Sequence, residues 1–151
     1  MSERHILKID GVTQTAAGAF DVYIPAPSGY RIELVEVDLQ QSTEEGDAQS
    51  EQVALWIQSG VTVGGSGSSV NSTPINTRGA AVACTINTTN SSTSGSVLQP
   101  TAFNVQAGWC KEWPLSEHRH RSAASGNLCL KVEGPTDAIT WYGSVTFEIV
   151  A

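Results

Sequence analysis

The chain has 151 residues, a formal net charge of −7 and an isoelectric point near 4.8. This length suits one domain, and the acidic balance argues against a nucleic-acid partner, because basic contacts to phosphates supply the affinity of such proteins. No apolar run approaches the roughly 20 residues of a membrane span, so we expect no membrane partner, and the first residues do not resemble a secretion signal.

The first predicted strands are His5–Ile9 and Ala19–Ile24, where apolar and polar residues alternate. Tyr30–Leu39 is predicted as a longer strand whose alternation changes phase, because its apolar residues keep one parity up to Leu34 and the other from Val35 onward. A slip of one residue inside a strand indicates a β-bulge or a change of sheet.

An uncharged span begins at Gln52 and ends at Cys110, and Arg78 is the single charged residue in its 59 positions. Soluble domains place a charge on about a quarter of their positions, so this span is unusual. Loss of charge with retained polar atoms is typical of the core of a protein interface more than of a catalytic cleft. The span therefore predicts a protein that works by contacting other proteins.

Within this span we predict strands at Val53–Ile57, Ala81–Asn87 and Phe103–Trp113. Two long loops, Ser59–Gly79 and Thr88–Gln99, separate them and are rich in small polar residues. Loops of this length suit Greek-key connections, which carry a chain from one sheet to the other. These loops are the expected place of contact with a partner.

The last two predicted strands have the clearest patterns. Leu128–Val132 alternates apolar residues with others, and Ile139–Ile149 does so over its whole length. Gly143 interrupts the apolar face of the second strand, so a bulge or a bend is expected near it.

About eight strands with turn signals between them, and no window of helical periodicity, indicate an all-β fold. The prediction is a single domain over residues 1–151, built as a two-sheet sandwich of jelly-roll type. An immunoglobulin fold is the main alternative, but the chain lacks a Cys…Trp…Cys framework of the right spacing. Residues 44–52 could form one helical turn at most.

Residues that could carry chemistry are sparse, and we expect no catalytic, cofactor or metal site. Only three histidines occur, and no G-x-S-x-G sequence is present. On a strand His118 and His120 would share a face, as two metal ligands can, but the adjacent Arg119 and Arg121 oppose a cation. We therefore interpret this segment as a basic loop that is solvated or faces a partner.

The one carboxylate cluster is Glu44-Glu45-Gly46-Asp47, with Glu51 close behind it. It does not match the pattern of a calcium-binding loop. It is interpreted as a solvated acidic turn, or as a patch that pairs with Arg119 and Arg121 of a neighbouring copy.

The cysteines Cys84, Cys110 and Cys129 are odd in number and widely spaced. No C-x-x-C spacing occurs. This usage favours reduced thiols.

The tryptophans allow more than one interpretation. Trp141 lies on the apolar face of its predicted strand and is expected in the core. Trp56 lies on the face opposite the apolar residues of its strand, so it is either exposed or covered by a partner. Aromatic rings on a sheet face can stack on sugars, and Trp is equally a preferred anchor of protein contacts.

Five blocks of the sequence resemble, in order, a group of small proteins encoded beside head genes in tailed bacteriophages and prophages. The blocks are Phe20–Pro27, Glu45–Gln52, Asn87–Thr89, Ala102–Trp109 and Val145–Ile149, and together they span nearly the full chain. The resemblance implies a jelly-roll cement or decoration protein that binds the outside of an icosahedral capsid. The chain departs from the group at residues 118–121, where fewer bases are expected.

The resemblance and the uncharged span lead to one hypothesis: a non-enzymatic virion protein, made in the host bacterial cytoplasm and bound to the capsid exterior. Its expected partners are the major capsid protein and itself, with a trimer favoured over a dimer. The alternative is a carbohydrate-binding jelly-roll module of a phage fibre or tail, with Trp56 and Trp109 as platforms for sugars. The candidate interface residues are Trp56, Asn71, Arg78, Asn90, Trp109, Trp113, Arg119 and Arg121.

Overall fold

The computed structural model describes residues 2–43, 51–62, 67–75, 79–88, 95–133 and 135–151. Within them lie eleven strands and two short 3-10 turns, and no α-helix. The strands are β1 Glu3–Gln14, β2 Ala19–Pro25, β3 Arg31–Gln41, β4 Gln52–Ser59, β5 Ser68–Asn71, β6 Thr73–Pro74, β7 Ala83–Asn87, β8 Ser96–Asn104, β9 Trp109–Glu112, β10 Asn127–Glu133 and β11 Ile139–Val150. The 3-10 turns are Val105–Ala107 and Ser116–His118.

The strands form two antiparallel sheets. The five-stranded sheet has the order β6-β1-β11-β3-β9, and the six-stranded sheet has the order β5-β7-β2-β10-β4-β8. Without β5, β6 and β7, which follow β4 in the chain, the orders are β1-β11-β3-β9 and β2-β10-β4-β8. This is the interleaved pairing of an eight-stranded jelly roll. The prediction of an all-β, two-sheet jelly roll is confirmed. Strand β7 is the one predicted at Ala81–Asn87, β5 and β6 are additional, and β8 and β9 replace the single strand predicted at Phe103–Trp113.

The core lies between the sheets and is built from the alternate, inward-facing residues of both. Trp141 is fully buried at its centre, with ring centroids 5.9 Å from Phe20 and 6.1 Å from Phe103. Its indole Nε1 donates to Gln14 Oε1 at 2.8 Å, and the amide of the buried Gln14 donates to the backbone carbonyl of Val132 at 3.0 Å. Burial of these polar atoms is therefore matched by hydrogen bonds, and the expectation for Trp141 is confirmed.

The phase slip in the third strand is a β-bulge. Thr146 of β11 pairs with Glu36, and the next residue, Phe147, pairs with Leu34, so Val35 has no partner of its own. The extra residue returns the apolar residues on both sides of it to the same inner face, where both sets join the core. Of the two predicted causes, the bulge is the one observed.

A second bulge lies next to Gly143, on the neighbouring strand. Asp10 pairs with Tyr142 and Val12 with Trp141, which leaves Gly11 unpaired at φ +64°. Gly143 itself has φ +143° and passes so close to β3 that a Cβ would lie 2.0 Å from the carbonyl oxygen of Asp38. The expectation of an irregularity near Gly143 is thus confirmed, although the extra residue belongs to β1.

The uncharged span folds differently from the prediction in three places. Phe103–Trp113 is not one strand: Asn104 accepts a hydrogen bond from the Gln106 amide at 2.9 Å, a 3-10 turn follows, and Gly108 ends it at φ +66°. This turn carries the chain from β8 in one sheet to β9 in the other.

The two predicted loops also contain strands. The Ser59–Gly79 segment includes β5 and β6, which lie in different sheets, and the buried Ser72 forms the corner between them. The Thr88–Gln99 segment includes the first residues of β8 and joins β7 to β8 within one sheet. The expected change of sheet at this second segment is therefore wrong.

Candidate interaction surface

The two sheets differ strongly in charge. Strands of the five-stranded sheet carry eleven charged residues, and strands of the six-stranded sheet carry three. The eleven are Glu3, Arg4, Lys8, Asp10, Arg31, Glu33, Glu36, Asp38, Lys111, Glu112 and Glu148, and the three are Asp21, Lys131 and Glu133. Strands β4, β5, β7 and β8 come from the uncharged span, so the outer face of the six-stranded sheet has charge only on its central strands.

One edge of this sheet exposes an apolar surface, which we name the β4–β8 rim. Its members are Ala54, Trp56, Val97, Leu98, Pro100 and Ala102. Pairing of Trp56 with Pro100, and of Ala54 with Ala102, places these side chains on the outer face. Val97 is 50% exposed and Leu98 is 37% exposed, and Leu98 is the extra residue of a bulge in β8. Two consecutive exposed apolar side chains on an edge strand are the kind of feature that marks an interaction site.

The inner border of the rim is formed by β10. Lys131 pairs across the strands with Trp56, and its ammonium lies 5.6 Å from the centre of the indole ring. The same ammonium forms an ion pair of 2.5 Å with Glu133 Oε1. A cation over an indole is attracted by the ring electrons. Trp56 is half-buried, and the cation over its ring is itself neutralised by Glu133.

Two further tryptophans lie around the β8–β9 side of the sandwich. Trp113 is buried, with its ring centre 6.3 Å from that of the half-buried Trp109 and 5.2 Å from that of His120. His120 Nε2 lies 2.7 Å from Gln99 Oε1 of β8, and because an amide oxygen can only accept, the imidazole donates. Burial lowers the pKa of His120. The neutral ring thus links β8, the edge strand of the six-stranded sheet, to the segment that follows β9 of the five-stranded sheet.

The predicted basic loop is instead an internal ion network over the five-stranded sheet. The side chain of Arg119 is only 7% exposed and lies 2.8 Å from Glu148 and 3.5 Å from Glu33. Arg121 Nε lies 2.8 Å from the other oxygen of Glu33, and Arg4 pairs with Glu148 at 2.6 Å. The expectation that the segment is solvated therefore fails for Arg119, whose guanidinium is used within the chain.

This network changes the acidity of one carboxyl group. Burial by itself raises the pKa of Glu148, but hydrogen bonds and charges from Arg4 and Arg119 outweigh that effect and hold the pKa below its usual value. Glu148 is therefore ionised at neutral pH, as its two arginine partners require.

The remaining candidate interface residues lie in different places. Asn71 is exposed on β5, at the edge of the six-stranded sheet opposite the rim, and its pairing with Ala83 puts it on the outer face. Arg78, Asn90 and the acidic turn at residues 44–47 lie outside the described residues.

One group of side chains has the composition of a catalytic triad, but it is enclosed. His5 Nδ1 lies 3.1 Å from Ser72 Oγ, and His5 Nε2 lies 3.7 Å from Glu3 Oε2. Ser72 and His5 are buried, and Ser72 Oγ also accepts from the Val82 amide at 3.0 Å. A nucleophile must reach its substrate, so this group fastens the β5–β6 corner to β1. Among the described residues no set of three or more His, Cys, Asp or Glu side chains is placed to hold a metal ion.

No disulfide joins the three cysteines, all of which lie in the described residues. Cys84 and Cys129 are buried in the six-stranded sheet, and burial raises the pKa of Cys84 to about 12. Cys110 is exposed on β9, and desolvation followed by the nearby carboxylates of Asp38, Glu36 and Glu112 raises its pKa. The thiolate form is thus disfavoured at Cys84 and Cys110.

Sequence reasoning missed the residues of the rim that lie on β8. Ser and Thr dominate the residues before Val97, so the sequence predicts a polar loop that includes Val97 and Leu98 and ends just before Pro100. The available signal was the group of four apolar residues just before Phe103, namely Val97, Leu98, Pro100 and Ala102, which fits an edge strand that contains a proline.

Comparison with known proteins adds no relative: no family model, no curated protein and no solved structure matches the chain. In the described residues, no helix has the length and apolar character needed to cross a bilayer.

Proposed function

We propose that the chain is a non-enzymatic structural protein of a tailed-phage virion, which binds the outer surface of the capsid as an oligomeric cement protein. The observation that carries the proposal is the contrast in charge between the two outer faces. A nearly uncharged, hydrogen-bonding face can be covered by another protein without the cost of desolvating ions. The charged face of the other sheet suits contact with water.

The jelly roll and the resemblance of the five sequence blocks support the same function. The proposed partners are the major capsid protein and further copies of the chain, which form a closed symmetric oligomer on an axis of the shell, with a trimer preferred to a dimer. In this arrangement the β5–β7 side of the six-stranded sheet's outer face, where Asn71 is exposed, is directed at the capsid.

A complementation experiment tests this function. Phage particles that lack the protein are expected to lose resistance to heat and osmotic shock, and purified protein added back is expected to restore it. The Asn71→Arg variant adds a large cation to the exposed, uncharged face and should restore little protection. The control Asp10→Lys changes an exposed residue of the other face and should restore it fully. Particles whose stability does not depend on the protein would exclude the cement function.

The second candidate is a carbohydrate-binding module, because Trp56 is a half-buried indole on an outer sheet face. The Lys131 ammonium lies over that ring, where a sugar would stack, so this function is the weaker of the two. Glycan-array binding that is lost in Trp56→Ala would favour it, and an empty array would exclude it.

A further inference from the structure

We propose that the β4–β8 rim is the surface through which neighbouring copies of this chain contact one another, with the rims meeting around the axis of the oligomer. Self-association is part of the proposed function, and the rim assigns it to particular residues. It is tested without capsids, so the two proposals can fail separately.

The exposed apolar side chains give the rim a reason to be covered. Val97 and Leu98 are 50% and 37% exposed, and they adjoin Pro100 and Ala102, which are also exposed. Two strands of about nine residues form a strip roughly 30 Å long and 10 Å wide, or about 300 Å². A standard interface buries roughly 800 Å² on each partner. The rim is therefore the apolar centre of a modest contact, which depends on protein concentration.

The partner does not bind the rim by pairing a strand of its own with the edge strand β8. Pro100 has no amide hydrogen and lies in the middle of β8, and the bulge at Leu98 interrupts the line of backbone groups. Both features protect an edge strand from pairing with another strand. The partner therefore packs against side chains, which excludes an extended peptide as the occupant.

Charge identifies the partner as a second copy. The chain carries a net charge of −7, so two copies repel each other wherever their charged surfaces meet. Strands β4 and β8 contain no charged residue, and the bordering Lys131 and Glu133 neutralise each other. The rim is the described edge where acidic copies can meet through an apolar surface without opposing like charges. A charged partner would find more ions to pair with on the five-stranded sheet, whose strands carry eleven charged residues of both signs.

Sedimentation equilibrium of the purified chain tests the proposal. Wild-type protein is expected to associate between about 10 µM and 1 mM, and the double variant Val97→Glu/Leu98→Glu to associate at least about tenfold more weakly. Ile75→Glu is the control, because Ile75 is 51% exposed and follows β6, an edge strand of the five-stranded sheet; it should associate as wild type does. Raising NaCl from about 0.02 M to 0.5 M should strengthen association, because salt screens the repulsion between acidic copies.

The Ala102→Glu variant provides a second disruption of the rim. The substituted side chains are all exposed, so the variants should keep the wild-type unfolding midpoint. Equal association of wild type and both rim variants would overturn the proposal. So would a wild-type chain that stays monomeric throughout, or association that weakens with salt. Rim-dependent association of a protein that fails to protect particles would overturn the cement function and leave the rim assignment standing.

Discussion

At the scale of single residues, Arg119 resolves a conflict built into the five-stranded sheet. Glu33 and Glu148 face each other on neighbouring strands, and like charges directly opposite destabilise a sheet. Arg119 reaches back from the segment after β9 and lies between them, with its side chain 7% exposed. A residue that looks like part of a basic surface patch in the sequence is thus a structural cation.

Replacement of Arg119 by alanine should be costly. The Arg119→Ala variant leaves two largely buried carboxylates facing each other, each with one remaining arginine, Arg121 for Glu33 and Arg4 for Glu148. We therefore expect a loss of roughly 1–3 kcal/mol. The exposed Arg31 is the control, because surface substitutions usually change stability by less than about 0.5 kcal/mol. Urea unfolding of both variants measures the difference, and equal midpoints would show that Arg119 is dispensable.

The same network predicts how stability depends on pH. The pKa of Glu148 is lowered in the folded protein, so its ionic contribution is complete above the ordinary carboxyl pKa and is lost as the pH falls through the lowered value. Wild type should therefore be more stable than Glu148→Gln at pH 7, and the gap should close in acid below about pH 4.5. Unfolding free energies measured from pH 7 downward check this, and a gap that widens in acid would contradict it.

At the scale of elements, the alternation of apolar residues predicted the strands that pack across the core. It failed at an edge strand and at a turn, where burial of one face does not set the sequence. The strands around Leu55, Leu130 and Phe147 repeat every two residues because one face is buried, and even the bulge at Val35 left its mark as a phase slip. The edge strand β8 pairs with β4 alone, and Phe103 is its one buried residue. Its sequence therefore shows little alternation. The break at Asn104 depends on a cap and a glycine, which an alternation count does not detect.

The close approach of β11 to β3 at Gly143 predicts that one added methyl group lowers the stability of the fold strongly. Gly143→Ala combines φ +143° with a Cβ placed 2.0 Å from the Asp38 carbonyl oxygen, so β11 or β3 must shift. We expect a loss of roughly 3 kcal/mol or more. Gly29→Ala separates the two causes, because Gly29 has φ +83° with no atom within 4 Å and should lose only about 1 kcal/mol. Thermal or urea unfolding of the pair compares them; equal losses would show that the close approach relaxes freely.

At the scale of the whole molecule, the distribution of charge divides the sandwich into two surfaces. Acidic and basic residues gather on the strands of one sheet, and the uncharged span supplies the two strands at each edge of the other. The sequence alone predicted an uncharged contact region, but not that it forms the edges of one sheet, because strand order depends on pairings between distant segments. The fold thereby gathers the uncharged residues on one side of the sandwich and the charged residues on the other.

The place of β11 in the strand order has a consequence for folding. β11 lies at the centre of the five-stranded sheet, between β1 and β3, and Arg4 meets Glu148 across 144 positions. β1 and β3 are joined into one sheet only when β11 pairs with both, and β10 likewise joins β2 to β4 in the six-stranded sheet. Folding therefore depends on the slow closure of long-range contacts, and the apolar faces of the early strands stay in water until that closure.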